Sequence, residues 1–297
     1  MPAADPTTPD GSALGDGGAV RAGTGVGVVV ALKAGEHVKS RLAPLPQPLR
    51  RRLAWTMAVD TLRALVEAVE TVRVVSDQAG LAARLARAGL GSVVVVPEAR
   101  PAGLNDALRQ GEARLRADGL DRVLGCVGDL PSLRPASVAV VLAGAAVSGR
   151  AYLPDATGIG TTMLVSGAGE PLAPHFQGRS AAAHHSSGAT PLTDERLGAA
   201  VPDARRDVDT EVDLGDAAGL GLGAATQALL DPASGRLGAY AVVTTTSTSG
   251  PNGQAVTTDG VRVSLPEHRL ADGLRPLRPG QRLHAALVGT TVLSAWL

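Results

Sequence analysis

Three cations and three carboxylates stand out by type and spacing. The apolar run Val26–Leu32 ends at Lys33, and Lys39 and Arg41 follow closely. The stretch "GEHVKS" approaches a phosphate-binding P-loop, but Val38 stands where the second glycine must be. A Cβ there blocks the close backbone approach that such a loop needs. Positive charge after this run must therefore act through side chains. Asp129 closes another apolar run in "GDLP", and "DVD" sets Asp207 and Asp209 two residues apart. In extended chain, residues i and i+2 face the same way, so both carboxylates can address one ion. Three carboxylates with no soft ligand suit a hard cation, Mg²⁺ or Mn²⁺. Cations opposite such a cluster suit a nucleoside triphosphate.

Each residue also has a plainer reading. An aspartate at a strand end can simply cap a helix or form a turn. "DVDTEVDL" reads equally as a capping segment, with Asp209 or Thr210 capping the helix that follows. Lys33, Lys39 and Arg41 can be solvated surface charges. His184 and His185 are adjacent, so on a helix they point to different faces, and with His175 they make no metal-ligand spacing. "TGIGTT", residues 157–162, is a glycine-rich turn of a common kind. Only the conjunction of these features points to chemistry.

The elements that would position them alternate. Val26–Leu32, Thr71–Asp77, Ser92–Glu98 and Arg122–Pro131 read as strands. Between them lie helical patterns: Pro48–Glu70, "LAARLARAG", and Leu104–Gly119, with Asn105 at its start. Another helix, "PASVAVVLAGAAV", follows, then the strands "AYLPD" and "TTMLVSG". Strands joined by crossover helices imply a mostly parallel sheet covered on both faces, with ligands beyond the strands' carboxyl ends. After a short extended piece at "RDVDTEVDL", a helix runs to about Leu222. Beyond residue 228 the pattern changes to short β-rich runs with Gly, Pro and Asn turns, as in a small barrel of the OB or cold-shock type. The organisation expected is a disordered tail over 1–24, an α/β domain over 25–228 and a β-rich region over 229–297.

Composition sets limits. The 297 residues are 44% hydrophobic but 2% aromatic, so the core is built from Ala, Val and Leu. Net charge is zero, which advertises no polyanion-binding surface. The single cysteine, Cys126, lies in an apolar run and reads as a buried, inert thiol. No apolar run approaches the roughly 18 residues of a membrane span. The N-terminal stretch lacks the basic and apolar regions of a secretory signal. A cytoplasmic location is expected, with no membrane or nucleic-acid partner and a homodimer left open.

In order, "K…KSRL", "GLN", "GDLP", "PD…GxGTT", "FxGxS…H" and "DVDT…DL" resemble the CofC/FbiD family over about residues 25–226. These are guanylyltransferases of coenzyme F-420 biosynthesis. The resemblance implies a Rossmann-like nucleotidyltransferase fold. It also implies coupling of GTP to a phosphorylated three-carbon acid, phosphoenolpyruvate or 2-phospho-L-lactate, with release of pyrophosphate. Asp129, Asp207 and Asp209 would hold the metal. Thr161 and Ser180 would contact the acid. Gln177 stands where the family pattern F-G-x-x-S has glycine, so Gly178 is taken as the backbone contact. Lys33, Lys39 and Arg41 would neutralise the triphosphate and the leaving pyrophosphate, and Asn105 would meet the base or ribose. Rival readings are a nucleotidyltransferase of molybdopterin or sugar metabolism, or a nucleotide-binding module without catalysis. Only Tyr240 and Trp296 offer aromatic surface in the C-terminal region, too little for a single-strand stacking platform. A structural or interaction role is expected there.

Overall fold

The computed structural model describes residues 25–33, 42, 47–99, 102–230, 239–248, 252–266, 270, 277–288 and 290–296. The expected tail at 1–24, Lys39 and Arg41 lie outside them. The chain runs β1 (Val26–Ala31), α1 (Gln47–Ala68), β2 (Thr71–Ser76), α2 (Leu81–Arg87), β3 (Val94–Pro97), α3 (Leu104–Ala117), β4 (Arg122–Cys126), α4 (Pro135–Ala146), β5 (Ala151–Pro154) and β6 (Thr161–Val165). It continues through α5 (Ser180–Ser186), β7 (Thr190–Pro191), α6 (Asp194–Leu197), α7 (Pro202–Arg205), α8 (Glu211–Leu220) and α9 (Ala224–Leu230). Five strands follow: β8 (Ala239–Ser247), β9 (Asn252–Thr257), β10 (Arg262–Pro266), β11 (Arg282–Val288) and β12 (Thr291–Trp296).

The first seven strands form one sheet in the order β3-β2-β1-β4-β6-β5-β7. β1 pairs in parallel with β2 and β4, and β2 with β3, as the apolar runs and crossover helices require. β6 runs antiparallel to both β4 and β5. The chain leaves β1 for β2 on one side and reaches β4 on the other, so the carboxyl ends of β1 and β4 flank a topological switch point, where such sheets bind ligands.

The sheet is sandwiched. One face buries Val28, Val30, Val72 and Val74 with Leu62 and Leu65 of α1 and Val138 and Val141 of α4. The other buries Val29 and Val75 with Leu108 and Leu115 of α3, Leu172 and Phe176. Cys126 is buried, and burial pushes its thiol pKa well up, so it stays protonated and inert.

Strands β8 to β12 close into a barrel, β10-β12-β11-β8-β9. Its interior residues Val243, Val263, Leu265, Leu283 and Ala285 share one hydrophobic cluster with Leu53 and Met57 of α1, Val208, and Leu214 and Ala217 of α8. The barrel is therefore fused to the back of the segment that carries Asp207 and Asp209. No described helix is long and apolar enough to cross a membrane.

Candidate active site

A cleft of about 1600 Å³ opens at the carboxyl ends of β1 and β4. Lys33 and Asp129 line it from these two strands, Thr161 and Ser180 from β6 and α5, and Asp207 and Asp209 from the loop before α8. Gly178 lines it too, with a left-handed φ of 57°. The sequence-selected residues in the described chain thus share one cleft, apart from Asn105.

Asp129 meets the "DVD" loop through the backbone. The N–H of Val208 donates to the carbonyl of Asp129 at 3.1 Å. Val208 itself is fully buried, and the residues on either side of it border the cleft. Behind Asp129, the N–H of Leu130 donates to the hydroxyl of Thr61, which in turn donates to the carbonyl of Met57. The turn is thereby pinned to α1. Thr210, not Asp209, caps α8: its hydroxyl accepts from the N–H of Asp213, whose carboxylate accepts from the N–H of Thr210. Asp207 and Asp209 are thus not needed as the cap. Among the described residues no three His, Cys, Asp or Glu side chains already stand grouped as a metal site.

The end of the cleft that carries Thr161 and Ser180 is built by a second loop. Asp155, at the end of β5, accepts at one carboxylate oxygen from the N–H groups of Thr157 and Ile159 and from the Thr157 hydroxyl, at 2.9–3.0 Å. Its other oxygen accepts from the N–H of Gly160 at 2.9 Å. A Cβ on Gly160 would collide with that carboxylate, which explains the glycine. The carbonyl of Ile159 accepts from the N–H of Ala181, so this loop fixes the start of α5 and hence Ser180. Thr161 follows the loop directly, and its Oγ1 lies 3.0 Å from Nδ1 of the fully buried His184.

Asn105 is spent elsewhere. Its carboxamide nitrogen donates to the carbonyl of Phe176 at 3.0 Å, and its oxygen accepts from the Phe176 N–H at 2.8 Å. The side chain braces the 176–178 loop and is not among the residues lining the cleft. With both ends of the carboxamide held by the main chain of Phe176, the side chain is oriented toward that loop.

Sequence reasoning missed several lining residues. Arg206 borders the cleft and pairs with Asp213 and Asp216 at 3.1 Å each. Its position beside Asp207 was a usable signal. Arg51 and Arg84 also line the cleft, the latter's guanidinium 3.7 Å above the ring of Trp55. Trp55 and Arg84 come from different helices, and no spacing announces their meeting. His184 falls four residues after Ser180 on α5, which puts both on one helix face.

The chain matches named proteins over most of this α/β region. A phosphoenolpyruvate guanylyltransferase of Salinispora arenicola (strain CNS-205) is 43% identical over 212 residues, 70% of this chain and 94% of that protein. One from Streptomyces coelicolor (strain ATCC BAA-471 / A3(2) / M145) is 44% identical over 206 residues, 68% and 94%. One from Frankia casuarinae (strain DSM 45818 / CECT 9043 / HFP020203 / CcI3) is 37% identical over 266 residues, 80% and 86%. No family model matches the chain. With these identities spread over nearly the full length of such relatives, the chain belongs to the phosphoenolpyruvate guanylyltransferase family.

Proposed function

We propose that this protein couples GTP to phosphoenolpyruvate, releasing pyrophosphate and supplying the activated three-carbon donor for coenzyme F-420 biosynthesis. The observation that carries the reading is a single cleft lined by Lys33, by Asp129, Asp207 and Asp209, and by Thr161 and Ser180. The names of the relatives support the choice of acid.

The reaction is an in-line displacement. A phosphate oxygen of the acid attacks the α-phosphorus of GTP, and the bond from that phosphorus to the β-phosphate's bridging oxygen breaks. The electron pair leaves with pyrophosphate. A phosphate monoester is largely dianionic at neutral pH, its second pKa being about 6, so no general base is needed. The obstacle is the approach of two polyanions. Lys33, with Lys39 and Arg41, is assigned to neutralising the triphosphate and the departing pyrophosphate. Thr161 and Ser180 offer hydroxyls to the acid's anionic groups, and the Gly178 main chain borders the same end. Asn105 is assigned to holding the 176–178 loop rather than to the nucleotide.

The donor set of Asp129, Asp207 and Asp209 fits a hard divalent cation, Mg²⁺ or Mn²⁺, since all three offer oxygen and two are tied to the third by the Val208–Asp129 bond. Such an ion would neutralise charge between nucleophile and α-phosphate. Residues 25–228 are taken as the catalytic unit and 229–297 as its structural appendage.

The test is pyrophosphate release from GTP and Mg²⁺ with phosphoenolpyruvate or 2-phospho-L-lactate. The two acids differ in a planar methylene against a methyl-bearing carbon, with no hydrogen-bonding group changed. Discrimination of roughly 10- to 200-fold in favour of phosphoenolpyruvate is expected. Better use of phospholactate overturns the choice of acid. Release from neither overturns the reaction.

A further inference from the structure

We infer that His184 is a positioning residue for the three-carbon acid: its Nδ1–H turns the hydroxyl proton of Thr161 outward, toward an anionic group of the substrate. This rests on the reading of the cleft proposed above. The directions of two hydrogen bonds carry it. The main-chain N–H of His175 donates to Nε2 of His184 at 2.9 Å. A backbone amide can only donate, so Nε2 holds the lone pair and the ring proton of the neutral imidazole sits on Nδ1. Nδ1 lies 3.0 Å from Thr161 Oγ1, so Nδ1–H donates and the hydroxyl oxygen accepts.

A hydroxyl has one proton, and that of Thr161 has no acceptor among the described residues. Thr161 is otherwise buried and borders the cleft. The neighbouring Thr162 makes the contrast: its hydroxyl donates to the carbonyl of Ala204 at 2.7 Å and is spent inside the fold. The opposite tautomer at His184 would reverse the outcome. A bare Nδ1 would accept from the Thr161 hydroxyl, leaving lone pairs to face the anion. Packing holds the ring in place: Phe176 meets it edge-on at 5.1 Å and Tyr152 at 5.9 Å. Burial, with His175 and Arg150 nearby, lowers the His184 pKa to about 4, so the ring is neutral at working pH.

Two measurements test this. In ¹⁵N-histidine-labelled protein, long-range ¹H–¹⁵N correlation should show His184 as the Nδ1–H tautomer, its signals assigned by their loss in His184→Gln. An Nε2–H tautomer overturns the inference, and this readout needs no variant to be active. In kinetics, His184→Gln keeps an oxygen to accept from the His175 N–H but removes the donor to Thr161. Its KM for phosphoenolpyruvate should rise about 10-fold, with KM for GTP within about twofold. His184→Asn returns a donor at the Nδ1 position and should recover most of that loss. In a Thr161→Val background, His184→Gln should add nothing. Equal effects on both substrates, or additivity with Thr161→Val, overturn the inference. Absence of wild-type turnover with phosphoenolpyruvate overturns the reading of the cleft instead, and the tautomer measurement separates the two failures.

Discussion

The amide of Val208 donates to the carbonyl of Asp129 at 3.1 Å, stitching the loop before α8 to the turn after β4. Through that bond Asp207 and Asp209 enter the same cleft as Asp129, although some eighty residues separate them in sequence. Asp129→Asn and Asp209→Asn each keep the shape of the side chain and remove its charge. Turnover with Mg²⁺ should fall roughly 10²–10³-fold, the scale on which one group that stabilises transition-state charge matters. Melting temperatures should stay near wild type. Full activity in either variant would remove that residue from the proposed metal site.

Val208 links the loop to the barrel. It is fully buried in the cluster that joins α1, α8 and the barrel interior. Val208→Ala should cost about 2 kcal/mol by denaturant unfolding, from lost burial and a residual cavity. Because Asp207 and Asp209 ride on it, kcat should fall as well. Leu265→Ala, a comparable truncation on the barrel's β10, should destabilise without a comparable loss of kcat at a temperature where the fold persists. Equal kcat losses in the two variants would show that activity tracks stability alone.

Much of this architecture is legible in the sequence because buried parallel strands are continuous apolar runs. Val26–Ala31 and Arg122–Cys126 fall within the expected spans, and α1 differs from expectation by a residue or two at either end. The helices α5, α6, α7 and α9 were not anticipated. Of these, α6 and α7 are four residues long, too short to show a period, and α5 and α9, seven residues each, lack the repeated Leu/Arg spacing that marks the equally short α2. The cleft was partly legible for a related reason. Carboxyl ends of parallel strands converge at a switch point, so Lys33 and Asp129 could be grouped by their place after β1 and β4, whereas Thr161, which begins the antiparallel β6, was reached through the family resemblance. What packs across elements could not. Nothing near Asn105 foretells that its carboxamide closes on Phe176, seventy-one residues away. Nor could the ring of His184, dismissed as a zinc ligand, be seen to face Thr161.

Acid should expose the same histidine. Its folded pKa is about 4 against an ordinary 6.5, lowered by burial first and then by His175 and Arg150. Between these values the unfolded chain binds a proton that the folded chain refuses. The contribution is therefore complete above about pH 6.5 and is lost as pH falls toward 4, on the order of 3 kcal/mol in all. Protonation would also set an Nε2–H against the His175 amide. Unfolding free energies over this range should fall more steeply for wild type than for His184→Asn. Parallel curves would show that His184 does not carry the acid sensitivity.

Gln177 holds a backbone conformation that suits glycine. Its φ is 89°, the adjoining Gly178 is at 57°, and both border the cleft beside Ser180. A side chain at left-handed φ costs roughly 1–2 kcal/mol, while a glycine there would lose about 0.5–1 kcal/mol more backbone entropy on folding. Gln177→Gly should therefore stabilise by up to about 1 kcal/mol, raising the melting temperature by roughly 2–4 °C. Strain of this kind persists where a site uses it. The Gln177 side chain is exposed and forms no hydrogen bond among the described residues, leaving its carboxamide available to the acid's carboxylate or phosphate. The same variant should then raise KM for phosphoenolpyruvate by about 10-fold, the scale of one hydrogen bond to a charged group, with KM for GTP unchanged. Thermal melts and initial rates on Gln177→Gly decide among three accounts. A more stable enzyme with weaker acid binding identifies Gln177 as a substrate contact held at a cost in strain. A more stable enzyme with unchanged KM assigns the strain to the loop alone, and a less stable one shows that the glutamine side chain contributes packing that outweighs its backbone strain.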